Sequence, residues 1–500
     1  MNALAVFLER HERGLVAALC VAAAVRVFVS SAGFPFFAPQ DEVAHFDLVV
    51  KYARYQVPTR FERYSQETRE LVVLYQTPEY LSPPPTDGRV LPPLWTAPPE
   101  IRETVLRDVV GRVFPTQPNH ESAEPPLYYA VVGGWYLIGK ALAIHRGQLV
   151  YWCRFLNVVV IVALVWLSHA FARRFFPDGQ LFRLGVPLLV AFIPQDSFYY
   201  VNNDVPSPLL CAAALYALLG IALAPKTRPT SCLVAGTLVA AALLTKLSNL
   251  PIVVALLATV FMRLSRPGAR HELRDLFVLA TATVVPVAAW STRTYLVFGD
   301  VTGQHQKATL AGWTPTPLAE IFRHPIFSPV GFAAFFHDLM ATFWRGELMW
   351  HRATLALSGL DLIYSISSAL FVTLAVVAVC RQANTRDRSE LVVTWTSIAV
   401  VAASVLFLAA LSPLFDYGST WRPSRSHPYY SVGRLMSGAL VPFVALYLRG
   451  LEWGLARVKL QAAGLAIVAG FMVAVTASEI LLSAKPFQSQ FNWFHMLGGP

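Results

Sequence analysis

The chain has 500 residues, 55% of them hydrophobic and only 14% charged, with a mean hydropathy of +0.49. That balance excludes an ordinary soluble domain and describes an integral membrane protein. The formal charge of +10 does not point to nucleic acid, because most basic residues fall in short loops between apolar runs, where membrane topology is encoded.

The first apolar run, about 14 to 34, is predicted as a retained span: Arg26 interrupts it and no A-x-A cleavage site follows. Directly after it stands FAPQDEVAHFD, with Asp41 and Glu42 side by side. The continuation HFDLVVKYARY spaces Phe46, Leu48, Val49, Tyr52 and Tyr55 close to helical period, which predicts an amphipathic helix lying on the membrane. The stretch from Gly33 to Pro126 holds 15 of the chain's 35 prolines, so it reads as a semi-rigid outer loop. Glu124 closes it, before the apolar run 125–144 (PPLYYAVVGGWYLIGKALAI). Runs of the ~20 residues needed to cross a bilayer follow at roughly 150–171, 184–201, 205–223, 276–297, 357–380, 391–412, 433–450 and 461–482, with a shorter tight pair at 231–246 and 249–263.

Five basic loops separate these runs: Arg173, Arg174 and Arg183; Lys226 and Arg228; Arg263, Arg266, Arg270 and Arg274; Arg381, Arg386 and Arg388; Arg449, Arg457 and Lys459. All five fall on the cytoplasmic side only if 125–144 does not cross. Its two opening prolines, paired glycines and interfacial aromatics predict a horizontal or re-entrant helix. The expected architecture is an all-α polytopic membrane protein, one domain over 1–500, with about eleven spans in the inner or plasma membrane. The N-terminus is then cytoplasmic and the C-terminus extracytoplasmic. Three outer segments result, 33–149, 298–356 and 413–432, and chemistry is expected there.

The acidic candidates on that face are Asp41, Glu42, Glu124 and Asp204, the last in FIPQDSFYYVNNDVPSP. Each has a plain alternative as a helix cap. Their convergence on one membrane face favours function, since ionisable groups beside apolar spans are costly. Lys246, in ALLTKLSNLP, and Arg434, in HPYYSVGRLMSGAL, can hold a lipid-borne phosphate or snorkel to the interface. His45 and Tyr430 are weaker candidates. The stretch FWRGELMWHR (343–352) reads as an aromatic interfacial anchor, and the five cysteines as packing residues without a disulfide or zinc pattern.

In their order, DEVAHF after the first span, EPPLYY, RFLNVV, the VNND turn, ALLTKLS and GRLMSGALVPF resemble the GT-C superfamily, membrane glycosyltransferases that use polyprenyl-phosphate-linked sugars. The pattern is similar to the branch of protein O-mannosyltransferases and the lipid A aminoarabinose transferase. The resemblance implies sugar transfer with inversion to a glycan, lipid or protein acceptor at the outer face, with the bilayer as partner and no nucleic acid. It implies a catalytic role for Asp41, with Glu42, Glu124 and Asp204 beside it, although the His or Lys often found near the second acid is absent. Lys246, Arg434, His45 and Tyr430 would serve the donor, and a magnesium or manganese ion among Asp41, Glu42 and Asp204 would suit oxygen ligands. A surface polysaccharide polymerase or ligase, or a flippase of lipid-linked sugars, are the rival readings.

In a background with the native cysteines replaced by serine, Gln180→Cys should resist an impermeant thiol reagent in intact cells while Val90→Cys reacts. Labelling of position 180 from outside overturns the topology.

Overall fold

The structure is a computed structural model that describes residues 3–39, 41–84, 90–112, 118–267, 269–382, 387–420 and 423–496. Arg386, one of the topology-setting residues above, lies outside them. Among the described residues eight helices are long and apolar enough to cross a membrane: Glu12–Gly33, Gly147–Phe175, Leu247–Leu264, Arg270–Phe298, Ser358–Arg381, Arg388–Leu414, Gly433–Arg457 and Gln461–Phe487. Three shorter apolar helices, Gln180–Phe192, Ser207–Leu223 and Pro229–Thr245, occupy the remaining predicted runs. Extended structure among the described residues is limited to isolated bridges and two short antiparallel pairs, Thr314–Pro315 with Phe415–Asp416 and Met349–Trp350 with Ala353–Thr354. The protein is an all-α polytopic membrane protein.

The first long helix stops at Gly33 because Pro35 follows Phe34, and its open C-terminal carbonyls need donors. Arg154, fully buried in helix Gly147–Phe175, supplies them: Nη1 donates to Ser31 O at 3.1 Å and Phe34 O at 2.7 Å, and Nη2 to Pro35 O at 2.9 Å. The same guanidinium grips Glu42 bidentately, Nε to Oε1 at 2.7 Å and Nη2 to Oε2 at 2.6 Å. The remaining capacity of Glu42 is met by the amides of Ala38 and Val201. The rings of Tyr151 and Tyr200 lie 4.8 and 5.4 Å from the guanidinium carbon. One buried ion pair thus fixes the exit of the first span.

Three sequence expectations change. The helix Glu42–Ala53 does not lie on the membrane as an amphipathic element; it is buried nearly all round. Its polar residues are satisfied internally, with Lys51 Nζ 2.9 Å from Asp47 Oδ2 and Asn119 Nδ2 donating to the same oxygen at 2.9 Å. The run 184–201 is α-helical only to Phe192, because Ile193 is extended before Pro194; a short 3-10 turn follows at Asp196–Tyr199, and Asn157 Nδ2 donates to the carbonyls of Phe198 and Tyr200 at 3.0 and 2.8 Å. Of the cysteines, four are buried and Cys380 is exposed at the end of its helix. The run 125–144 forms the 15-residue helix Leu127–Ala141, which packs against Glu42–Ala53.

The first and last long helices are joined through Arg26, whose Nη1 lies 3.2 Å from Glu479 Oε1 and donates to Tyr199 Oη at 2.6 Å. Past the last helix, Phe491 O accepts from Phe36 N at 3.1 Å. Residues from the first and last long helices and just beyond them therefore meet at the loop that follows Gly33.

Arg154→Met leaves Glu42 buried and unpaired, which should lower stability by about 3–5 kcal/mol. Thermal unfolding in detergent measures it. The double variant Glu42→Gln with Arg154→Met should unfold at a higher temperature than Arg154→Met alone, because the unpaired charge is gone.

Candidate active site

Asp41 begins helix Glu42–Ala53 in a left-handed conformation (φ 63°) and makes no side-chain capping bond. A non-glycine residue held there is strained, and such strain concentrates at functional sites. Its carboxylate turns to His120, with Nε2 3.2 Å from Oδ1, and to Arg434, with Nη2 3.1 Å from Oδ2. The side chain is 33% exposed, whereas Glu42 next to it is sealed with both oxygens engaged. Asp41 is reachable by a ligand and Glu42 is not.

The other predicted acids are likewise not caps. Glu124 Oε2 accepts from Asn203 Nδ2 at 3.0 Å, and its Oε1 lies 3.3 Å from Lys307 Nζ. Asp204 is buried, with Lys246 Nζ 2.7 Å from Oδ1 and Arg434 Nη1 3.5 Å from Oδ2. Lys246 also donates to Asn203 Oδ1 at 2.9 Å. Lys307 in turn holds Glu121, at 2.8 and 2.7 Å from its two oxygens, and Glu121 lies 3.3 Å from His120. These contacts close on themselves. From Asp41 the path runs through His120, Glu121, Lys307, Glu124, Asn203, Lys246, Asp204 and Arg434 back to Asp41.

Local backbone geometry brings Arg434 into this ring. A Cβ on Gly433 would fall 2.0 Å from Phe343 N, so glycine there lets the chain press against helix Pro329–Arg345. That contact sets Arg434 Nε 3.2 Å from Glu347. Gly346 (φ 82°) leaves no room for a side chain beside Asp196, where a Cβ would lie 1.9 Å from Oδ1. Glu347 N then donates to Asp196 Oδ2 at 2.9 Å. The stretch 343–352, expected as an anchor, thus supplies a charged partner to the site.

The ring sets its own protonation. Burial raises the Asp41 carboxyl, but the His120 hydrogen bond and the charge of Arg434 outweigh it and hold the group ionised. Burial would lower His120, yet its bonds to Asp41 and Glu121 hold it up at about 10. Burial and the neighbouring Glu121 raise Glu124 against the pull of Lys307. Burial beside Glu347 lifts Asp196 to about 7. His45 is lowered to about 4 by burial, and its Nδ1 lies 2.8 Å from Tyr129 Oη. Tyr430 stands beside the ring: Lys307 and Arg434 pull its phenol down against a larger upward push from burial.

The expected metal set does not assemble. Glu42 is spent on Arg154 and Asp204 on Lys246 and Arg434. The ligand atoms that do converge, within 4.8 Å of one another, belong to Asp41, His120 and Glu121. There Lys307 pairs with Glu121 and Arg434 with Asp41.

Sequence reasoning missed His120, Glu121, Lys307 and Glu347. The first two stand in NHESAEPP, within four residues of Glu124, a density of ionisable groups that was a usable signal. Lys307 and Glu347 carried none beyond lying in an outer segment.

No protein-family model matches the chain, and no curated protein does. Among solved structures, two of ArnT from Cupriavidus metallidurans are similar. The structure bound to undecaprenyl phosphate shares 11% identity at a TM-score of 0.33, covering 88% of this chain and 79% of that one. The apo structure shares 13% at the same TM-score, covering 86% and 77%. Likeness of this degree assigns no function, which has to be read from the site's own residues.

Because His120 is raised in the folded protein from an ordinary 6.5 to about 10, its contribution to stability is complete below pH 6.5 and is lost as pH rises through 10. The gap in melting temperature between the parent and His120→Gln should therefore be widest near pH 6 and close toward pH 10. A gap that widens with pH contradicts the charged His120.

Proposed function

We propose that the protein is a membrane glycosyltransferase that moves a sugar from a polyprenyl-phosphate carrier to an acceptor hydroxyl at the outer face of the membrane. The observation that carries this reading is Asp41: an ionised, reachable carboxylate at the end of the first span, with Arg434, Lys246 and Asp204 on its flank. Lipid phosphates sit at that depth, and Arg and Lys are the side chains that hold them.

At Arg434 the site is incompletely satisfied in a way that suits a phosphate. Its Nε is buried and ion-paired with Glu347 but makes no aligned hydrogen bond. Buried polar groups left in that state call for a functional explanation. A phosphate oxygen arriving at Arg434 gives Nε an acceptor and competes with Asp41 for the guanidinium. Asp41 then loses one of the two cationic neighbours that keep it a weak base, and its proton affinity rises. Donor binding and base activation are coupled through one arginine.

In the reaction, the acceptor oxygen attacks the anomeric carbon while Asp41 takes or orients its proton. The bond from that carbon to the phosphate oxygen breaks, and the electron pair leaves with the lipid phosphate, which Arg434 and Lys246 stabilise. A single displacement inverts the anomeric centre, with no second carboxylate needed as nucleophile. Glu42 holds the start of the catalytic helix; Glu124, Glu121 and Lys307 complete the charge around it.

Asp41→Asn should retain folding and membrane insertion yet lose transfer by ~10²-fold or more, the range for a removed acid or base group. Radiolabelled sugar transfer from a polyprenyl-phosphate donor in nanodiscs measures it. Unchanged turnover in a purified, folded Asn variant removes Asp41 from the chemistry.

A further inference from the structure

Arg434 faces three carboxylates, a different one at each nitrogen: Asp41 lies 3.1 Å from Nη2, Asp204 3.5 Å from Nη1 and Glu347 3.2 Å from Nε. Asp41 and Asp204 have second cations in His120 and Lys246. Glu347 differs, because the chain presses it against another acid. Gly346 leaves no room for a side chain beside Asp196, and Glu347 N donates to Asp196 Oδ2 at 2.9 Å. Asp196 is 1% exposed. We propose that Asp196 and Glu347 are positioning residues for the donor: as a phosphate takes Arg434 Nε from Glu347, Asp196 takes up a proton from the medium. The inference rests on the glycosyl-transfer reading and adds to it a proton that accompanies donor binding.

The geometry gives the order of events. Arg434 Nε is buried and has no aligned hydrogen bond, so a phosphate oxygen displaces Glu347 there without breaking a formed one. The displaced carboxylate then stands beside Asp196 with Arg434 withdrawn. Two neighbouring carboxylates away from water do not both stay ionised. One proton on the pair restores the balance, since a negative charge enters with the phosphate and another is neutralised.

Asp196 already stands near its point of change. Burial first and Glu347 second lift it to about 7, against the Glu347 amide, Arg434 and Arg345. Arg345 is engaged by Asp361, with Nε at 2.8 Å and Nη2 at 3.0 Å. The two long helices packed on the turn Asp196–Tyr199 bring Arg26 and Arg154, which are paired with Glu479 and Glu42. The adjoining phenols of Tyr199 and Tyr200 are kept neutral by burial. The loaded site holds the proton more tightly than the empty one, so binding and protonation favour each other. Affinity is therefore full below the empty-site value and falls as pH rises through about 7. Across that range His120, at about 10, keeps its charge and His45, at about 4, stays neutral.

The test is calorimetric titration of the full chain in nanodiscs with a short-chain polyprenyl phosphate methyl diester, a phosphodiester whose single charge does not change near neutral pH. Its Kd should be flat below about pH 6 and rise by about 10-fold or more toward pH 8.5, one linked proton giving at most about a decade per unit. Titrations in two buffers of different ionisation enthalpy should show proton uptake at pH 8. Asp196→Asn keeps an acceptor for Glu347 N and removes the ionisation. It should bind at pH 8.5 as the parent binds at pH 6, with no proton taken up. Glu347→Gln removes the second carboxylate and should flatten the profile as well, which answers the question even where Asp196→Asn misfolds. A parent Kd that does not change with pH, or the parent's slope persisting in either variant, overturns the proposal. Binding at no pH removes the lipid-phosphate reading and this inference with it, whereas pH-independent binding removes this inference alone.

Discussion

The pair of Arg154 and Glu42 is the constraint on which the site around Asp41 depends. Burying an arginine and a glutamate in a membrane protein is costly unless every donor and lone pair is met, and here the first span's open carbonyls meet the remainder. The guanidinium is at once a helix cap and an ion-pair partner, and the carboxylate it holds accepts from Val201 N and so ties down that loop. Asp41 inherits its position from this clamp. With Glu42 immobilised one residue away, the strained backbone at Asp41 has nowhere to relax, and its carboxylate is presented to His120 and Arg434 at once.

Around Asp41 the chain builds an electrostatic circuit from six separate places, at residues 41, 120–124, 203–204, 246, 307 and 434. Alternating charges let each group lower the desolvation cost of the next, which no single pair in that setting would achieve. The circuit is loose at Arg434, where the distance from Nε to Glu347 is ionic but the geometry is unaligned. Tightness elsewhere and slack at one corner is the distribution expected of a site whose last partner is a ligand.

Much of the architecture was legible in the sequence because it follows from hydropathy alone: the predicted apolar runs other than 184–201 are helical, and 125–144 is a short helix. The failures have separate causes. The helix after Asp41 reads as amphipathic because Asp47 and Lys51 are charged, and period cannot reveal that they pair with each other and with Asn119 inside the protein. The end of the α-helix at Phe192 follows from Pro194, a local signal that an apolar count passes over. For the site, Asp41, Glu124, Asp204, Lys246 and Arg434 were visible as charges beside spans, and the structure brings them together. Glu42 looked equivalent to Asp41 and is its opposite in exposure, a distinction made by Arg154 more than a hundred residues on. Lys307 and Glu347 were invisible because a lysine or glutamate in an outer loop has no signature until the loop folds back.

The Arg26 contact with Glu479 and Tyr199 has a consequence for how two helices can move. Arg26 lies in Glu12–Gly33 and its carboxylate partner in Gln461–Phe487, 453 residues on. Neither helix balances the charge it carries, so drawing them apart would leave a lone cation on one and a lone anion on the other, beside apolar surface where each is costly. The two helices are therefore tied to shift as one body.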